Sequence, residues 1–356
     1  MPAYVSRPAI VLPEFEVSTR EIIDDIARNH PDDPRLKVYE RVISNLQVDK
    51  RYFVAPLDSP VISGDADITE RVGTGYGHAV RMGEQAARKA MEQAGVQPSE
   101  IGAIVTSHAT TWGVPGLDVL LSNALGLPMR TRRIGMTTLA CGGGAQALIR
   151  AVQLAAAEPG TKVLVVASEV ISSVYNHHDT TMQSMIYKAL FGDSAGACVV
   201  STTAPGTPGI RIEDPVSANT FELLLPDTED MYGGKLDTSG LHFESTKAGQ
   251  KGAEDSMPYV FDWLDHKVPD WAVIHPGSPG IITDVAKSLG LTDEHTRHSR
   301  AVLAEMGNLG GISVLAVLDK LHSAPPAAGE SGVMVAFAPG FATAALRCSW
   351  SAPAGD

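Results

Sequence analysis

Apolar, β-branched runs alternate with helical periodicity along most of the chain. Ile101-Gly-Ala-Ile-Val-Thr106, Lys162-Val-Leu-Val-Val-Ala167 and Ala197-Cys-Val-Val-Ser201 are continuous enough to be strands covered on both faces. Trp271-Ala-Val-Ile274 and Gly332-Val-Met-Val-Ala-Phe337 repeat the pattern later. Between them, apolar residues recur at three- and four-residue spacing over 80–94, 145–157 and 311–322, which predicts helices; the second stops before Pro159-Gly160. Strands alternating with helices predict an α/β protein with a parallel or mixed sheet.

The same pattern points to two halves. In each, a strand leads through a Gly-rich turn into an Ala/Leu-rich helix: Leu139-Ala-Cys141-Gly-Gly-Gly144 before Ala145, and Met306-Gly-Asn308-Leu-Gly-Gly311 before Ile312. Thr203-Ala-Pro-Gly-Thr-Pro-Gly209 is the seam between them, which divides the chain into 1–205 and 206–356.

At 356 residues, 44% hydrophobic and 19% charged, the composition is that of a folded globular protein and excludes disorder, collagen and coiled coil. The net charge of −13 argues against a nucleic-acid partner, though it leaves room for one anionic small molecule on a local basic patch. Three scattered cysteines, Cys141, Cys198 and Cys348, make no disulfide framework. His177-His178-Asp179 lacks a complementary ligand cluster, so no metal is expected. Gly73-Thr-Gly-Tyr-Gly77 has the wrong spacing for a dinucleotide fingerprint. Residues 1–20 carry no signal-peptide pattern, and no run approaches 18 apolar residues; a cytoplasmic protein without a membrane partner is expected.

Cys141 is the sharpest chemical signal. A thiol at a helix N-terminus feels the positive end of the dipole, which favours the nucleophilic thiolate, and the glycines let backbone N–H groups approach a substrate carbonyl. Read alone, it is equally a structural cysteine in a tight turn. His275 ends the strand before Pro276-Gly-Ser-Pro-Gly280, where α/β folds place catalytic groups, and Asn308 sits on its own Gly-bounded turn. Each alone is an ordinary loop residue. Together they make a set for thiol catalysis: nucleophile, base and amide donor for a developing oxyanion.

Thr137-Thr-Leu-Ala-Cys141-Gly-Gly-Gly144, Ala189-Leu-Phe-Gly-Asp-Ser-Ala-Gly196, Val273-Ile-His-Pro-Gly-Ser-Pro-Gly280, Glu305-Met-Gly-Asn-Leu-Gly-Gly311 and Val335-Ala-Phe-Ala-Pro-Gly340 follow one another in the order of a known family. On these motifs the chain resembles the bacterial type III polyketide synthases, the chalcone-synthase-like branch of the thiolase superfamily. The resemblance implies a duplicated αβαβα thiolase-like fold with two pseudo-symmetric halves, and a homodimer. Thr111-Trp-Gly-Val-Pro-Gly-Leu-Asp118 resembles the family's dimer-interface loop. It further implies Cys141, His275 and Asn308 as catalytic residues, an acyl-CoA starter loaded on Cys141, and extension by decarboxylative Claisen condensation with malonyl-CoA. Cyclisation then gives an aromatic or pyrone product. CoA thioesters are the substrates, and no metal or redox cofactor is implied.

By the same resemblance, Phe191 and Phe243 match the gatekeeper phenylalanines, Arg41 matches a CoA-phosphate arginine with Lys37 nearby, and Pro339 and Gly340 belong to the loop near the cyclisation region. Ala338 departs from the family glycine and narrows that region. Tyr187 and Lys188 replace smaller or uncharged residues of plant relatives, and Ile171 and Val174 replace cavity hydroxyls, so a more apolar pocket is expected. Glu169, after a strand end, is a candidate buried carboxylate. The alternatives are a ketoacyl-ACP synthase III-like enzyme making a single condensation, disfavoured by His275-Pro-Gly-Ser-Pro, and a non-catalytic scaffold of the same fold.

Overall fold

In the computed structural model, which describes residues 1–246, 249 and 251–352, every predicted strand is present and mostly longer than its apolar run. Ile101–His108 lies between Arg132–Thr137 and Lys162–Glu169, parallel to both, and Lys162–Glu169 runs antiparallel to Ser194–Ser201. In the second half Trp271–Ile274 is parallel to Ser331–Ala338, which is antiparallel to Ala342–Ser351. Ala3–Val5 and Gly209–Ile212 pair with each other and bridge these groups, since the first also pairs with Ser194–Ser201 and the second with Ala342–Ser351.

Burial sorts these elements into five layers. The helices Gly143–Ala157 and Ser313–Leu321 share one core with strand residues of both halves, from Val105, Val163 and Cys198 to Val273, Met334 and Leu346. Ser313–Leu321 is buried nearly all round, as a central-layer helix must be. The opposite strand face of the first half packs on Ile68–Gln93 and Leu117–Leu125, and that of the second on Gly252–Trp263 and Pro279–Leu289. The architecture is therefore αβαβα, the thiolase-like duplicated fold. Near-continuous apolar strands are the consequence of burial on both faces.

Glycines bring the two central helices together. A Cβ on Gly144 would fall 2.0 Å from the Gly311 carbonyl oxygen, so no side chain fits there while the halves keep their contact. The helix expected over 80–94 begins instead at Ile68, capped by the Asp67 side chain accepting from the Glu70 N–H. Its glycines carry a propensity cost of about 1 kcal/mol each, but Gly75 lies where a Cβ would meet the Thr111 methyl at 2.6 Å. Packing against the sheet overrides propensity here.

Candidate active site

Strand Arg132–Thr137 ends in a strained turn. Thr138 and Ala140 take φ of +62° and +42°, a left-handed conformation that costs a non-glycine residue of order 1–3 kcal/mol. The turn delivers Cys141 to the short 3₁₀ segment Ala140–Gly142, directly ahead of helix Gly143–Ala157. The cysteine is 8% exposed.

Asn308 arrives from the other half, after helix Asp293–Met306 and Gly307 at φ +73°. Its backbone is zipped to the Phe191 segment: Asn308 N–H donates to the Leu190 carbonyl at 2.8 Å, and Gly192 N–H donates to the Asn308 carbonyl at 3.1 Å. The side-chain oxygen accepts from Gly310 N–H at 2.9 Å and from the Ser313 hydroxyl at 3.4 Å. Those bonds turn the amide nitrogen toward the Cys141 sulfur, 3.8 Å away. His275 follows strand Trp271–Ile274, held by its N–H to the Val335 carbonyl at 2.9 Å. It is 1% exposed, and its Nδ1 has no hydrogen-bond partner among the described residues.

Burial dominates the electrostatics. It pushes the Cys141 thiol up to about 12, with the Asn308 amide and the Tyr232 hydroxyl opposing the rise and Glu169 adding to it. It pulls His275 down to about 3. Taken alone, each group is therefore held in its neutral form, thiol and imidazole, by burial. Glu169 is 1% exposed and accepts from Ala109 N–H, Thr110 N–H and the Thr110 hydroxyl at 3.1, 3.0 and 2.8 Å.

Cys141, His275 and Asn308 meet in the wall of a cavity of about 490 Å³, together with Phe191 and Tyr187. Phe243 packs behind these two aromatics, its ring 5.7 Å from Phe191 and 6.3 Å from Tyr187. Ile171 and Val174 do not line the cavity; they belong to the apolar cluster around Leu190 and Phe191. Pro339 and Gly340 are half-buried beside the cavity, while Ala338 and Phe341 line it. Arg41 is exposed on helix Leu36–Ser44, which leads toward Leu46 in the cavity wall. Lys37 lines a separate surface cleft with Arg20. Lys188, beside Tyr187, faces away: its ammonium donates to the Asp179 carbonyl at 2.8 Å, and burial lowers its pKa to about 8.

Part of the cavity polarity comes from two residues that the sequence did not single out, Tyr232 and Ser245. Tyr232 turns its hydroxyl toward Cys141, and Tyr187 donates to Ser245 Oγ at 3.0 Å. Tyr232 and Ser245 pair across a hairpin, Tyr232–Asp237 with Gly240–Ser245. The signal was present as two short runs about Thr238-Ser239, but nothing local says that the hairpin folds over the cysteine. Elsewhere, His177 and His178 pair with different carboxylates, Asp25 at 2.9 Å and Asp65 at 3.0 Å. Cys198 is wholly buried in a strand, and no helix among the described residues is long and apolar enough to cross a membrane.

Residues 20–204 match the N-terminal domain of the chalcone and stilbene synthases, and 216–348 match their C-terminal domain. The chain is 29% identical to the phloroglucinol synthase of Pseudomonas fluorescens, over 97% of this chain and 98% of that one. It is 30% identical to the 1,3,6,8-tetrahydroxynaphthalene synthase of Streptomyces griseus, over 98% and 93%. Among solved structures, germicidin synthase from Streptomyces coelicolor, a type III polyketide synthase, superposes with a TM-score of 0.92 at 28% identity, covering 98% of this chain and all of that one. The 1,3,6,8-tetrahydroxynaphthalene synthase of Streptomyces coelicolor gives 0.91 at 26% identity, covering 98% and 99%. Matched through both halves, the chain belongs to the chalcone and stilbene synthase family, the type III polyketide synthases.

Proposed function

We propose that Cys141 carries the growing acyl chain, with His275 and Asn308 as its catalytic partners. The observation that carries this reading is their convergence, from separate halves, on one buried cavity wall. The Cys141 proton passes to His275, and the thiolate attacks the carbonyl of an acyl-CoA starter; CoA leaves with that proton. Malonyl-CoA then loses CO₂, and its C–C electron pair becomes an enolate. The Asn308 amide and an imidazole N–H donate to the enolate oxygen. The enolate carbon attacks the Cys141 thioester, expelling the thiolate and leaving a CoA ester two carbons longer. That ester reloads and extends again.

Nothing in this sequence of steps calls on a metal or redox cofactor. Phe191, in the cavity wall and backed by Phe243, shields the decarboxylating group from water, and exposed Arg41 meets a CoA phosphate outside the cavity. The division between halves falls at 205/206, and the protein works in the cytoplasm.

A homodimer fits the exposed edge of the sheet. Strand Arg132–Thr137 ends the sheet with mostly exposed residues, and Trp112 and Val114 are 71% and 80% exposed. Sedimentation as a monomer at micromolar concentration would contradict it. The function itself is tested by incubating Cys141→Ala with acyl-CoA and malonyl-CoA: chain extension by that variant contradicts the covalent mechanism.

A further inference from the structure

The hairpin that carries Tyr232 and Phe243 is a two-stranded ribbon outside the main sheet. A lone ribbon is marginally stable in water, so its position depends on what grips it. At its open end Tyr187 donates to Ser245 Oγ, Gln183 donates to the Ser245 carbonyl, and Phe243 packs on Phe191. At its turn the grip is Arg71, from helix Ile68–Gln93.

Arg71 is 4% exposed, and among the described residues its guanidinium donates to backbone carbonyls alone: Ser239 at 2.8 Å, Ser173 at 2.6 Å, Tyr175 at 2.8 Å and Val61 at 3.3 Å. One guanidinium thus ties the hairpin turn to the segment after strand Lys162–Glu169, whose Ile171 packs in the apolar cluster of Phe191. Asn176 adds a bond to the Ser239 carbonyl at 3.3 Å. The fit leaves no slack: at Gly240, with φ +132°, a Cβ would fall 2.7 Å from Arg71 Nη1. Burial draws the arginine pKa down, so the group is held at an electrostatic cost.

We propose that Arg71 is a positioning residue for chain length: by pinning the hairpin turn it fixes Tyr232 and Phe243 against the cavity, and without it the polyketide is released short. This rests on Cys141 being the attachment point. Lysine in its place keeps the charge but lacks the planar fork that reaches several carbonyls at once.

Two variants test it from opposite sides, Arg71→Lys on the helix and Gly240→Ala on the hairpin. Each is assayed for Cys141 acylation by intact mass, for product distribution and for hydrogen exchange over 232–245. In whichever variants fold, the expected signature is unchanged acylation, hairpin exchange faster by at least an order of magnitude, and a severalfold rise in short over full-length products. A purely structural role lowers all products in proportion along with the melting temperature. That result, or faster exchange with an unchanged product ratio, overturns the proposal. So does unchanged hairpin exchange. Failure of the wild-type enzyme to acylate Cys141 instead removes the underlying mechanism, a separate outcome that the mass measurement identifies.

Discussion

Gly144 and Gly311, one from each half, touch backbone to backbone, and a Cβ on the first would lie 2.0 Å from the carbonyl oxygen of the second. Cys141 stands three residues before one glycine and Asn308 three before the other, so this contact sets the distance between thiol and amide. Gly144→Ala is expected to destabilise the fold by about 1–3 kcal/mol, the usual cost of overpacking a filled core. Urea unfolding measures it. Condensation is expected to fall further than stability predicts, and a variant with wild-type midpoint and activity contradicts this role for the contact.

Asn308 donates toward sulfur through an amide already fixed by Gly310 and Ser313. Asn308→Ala leaves thiol and imidazole in place, so acylation of Cys141 should persist. Decarboxylation of malonyl-CoA should drop by about 10²–10³, the loss typical of one oxyanion donor. Carbon dioxide release and intact mass separate the two steps. Equal loss of both would assign Asn308 to folding of the site rather than to the enolate.

Burial opposes charge on both Cys141 and His275, raising the thiol to about 12 and lowering the imidazole to about 3, so neither ionises readily by itself near neutral pH. In the wild type, reaction with iodoacetamide is expected at neutral pH through the ion pair. His275→Ala removes the proton acceptor, and the onset of alkylation should move well into the alkaline range. An identical pH profile in both proteins would dissolve the pair.

Stability at mildly acidic pH should depend on a histidine outside the site. His322 packs edge-on against Trp350, ring centroids 4.7 Å apart, and burial with nearby Arg7 lowers its pKa to about 4. Between about 4 and its unfolded value of about 6.5 the unfolded chain binds the extra proton, so stability rises with pH. The contribution is complete above about 6.5 and is lost as pH falls through 4, at up to about 1 kcal/mol per pH unit after allowing for partial solvent access. His322→Gln should flatten this part of the urea-midpoint profile, and an unchanged slope would contradict the assignment.

Strands such as Trp271–Ile274 were legible because burial on both faces writes itself as an unbroken apolar run. Cys141, His275 and Asn308 stood out because each ends an element beside glycines, and the motifs around them named the family. Tyr232 was not legible: its nearness to the thiol comes from a hairpin laid across the cavity, a relation between segments far apart in sequence. Ile171 and Val174 suggested an apolar pocket by their positions, yet they pack with Leu190 and Phe191 outside the lining, and the cavity keeps the hydroxyls of Tyr187, Tyr232 and Ser245. The glycines over 73–77 hid the start of a helix because their reason lies in packing, at Gly75 against Thr111.

Cys141 as the attachment point is put to the test by intact-protein mass spectrometry after brief mixing with acyl-CoA starters. The expected result is a mass increase equal to the acyl group, mapping to the Cys141 peptide and absent in Cys141→Ala. Addition of malonyl-CoA should then release extended, cyclised product. A polyketide formed with no adduct at Cys141, or an adduct on Cys198 or Cys348 instead, would contradict it.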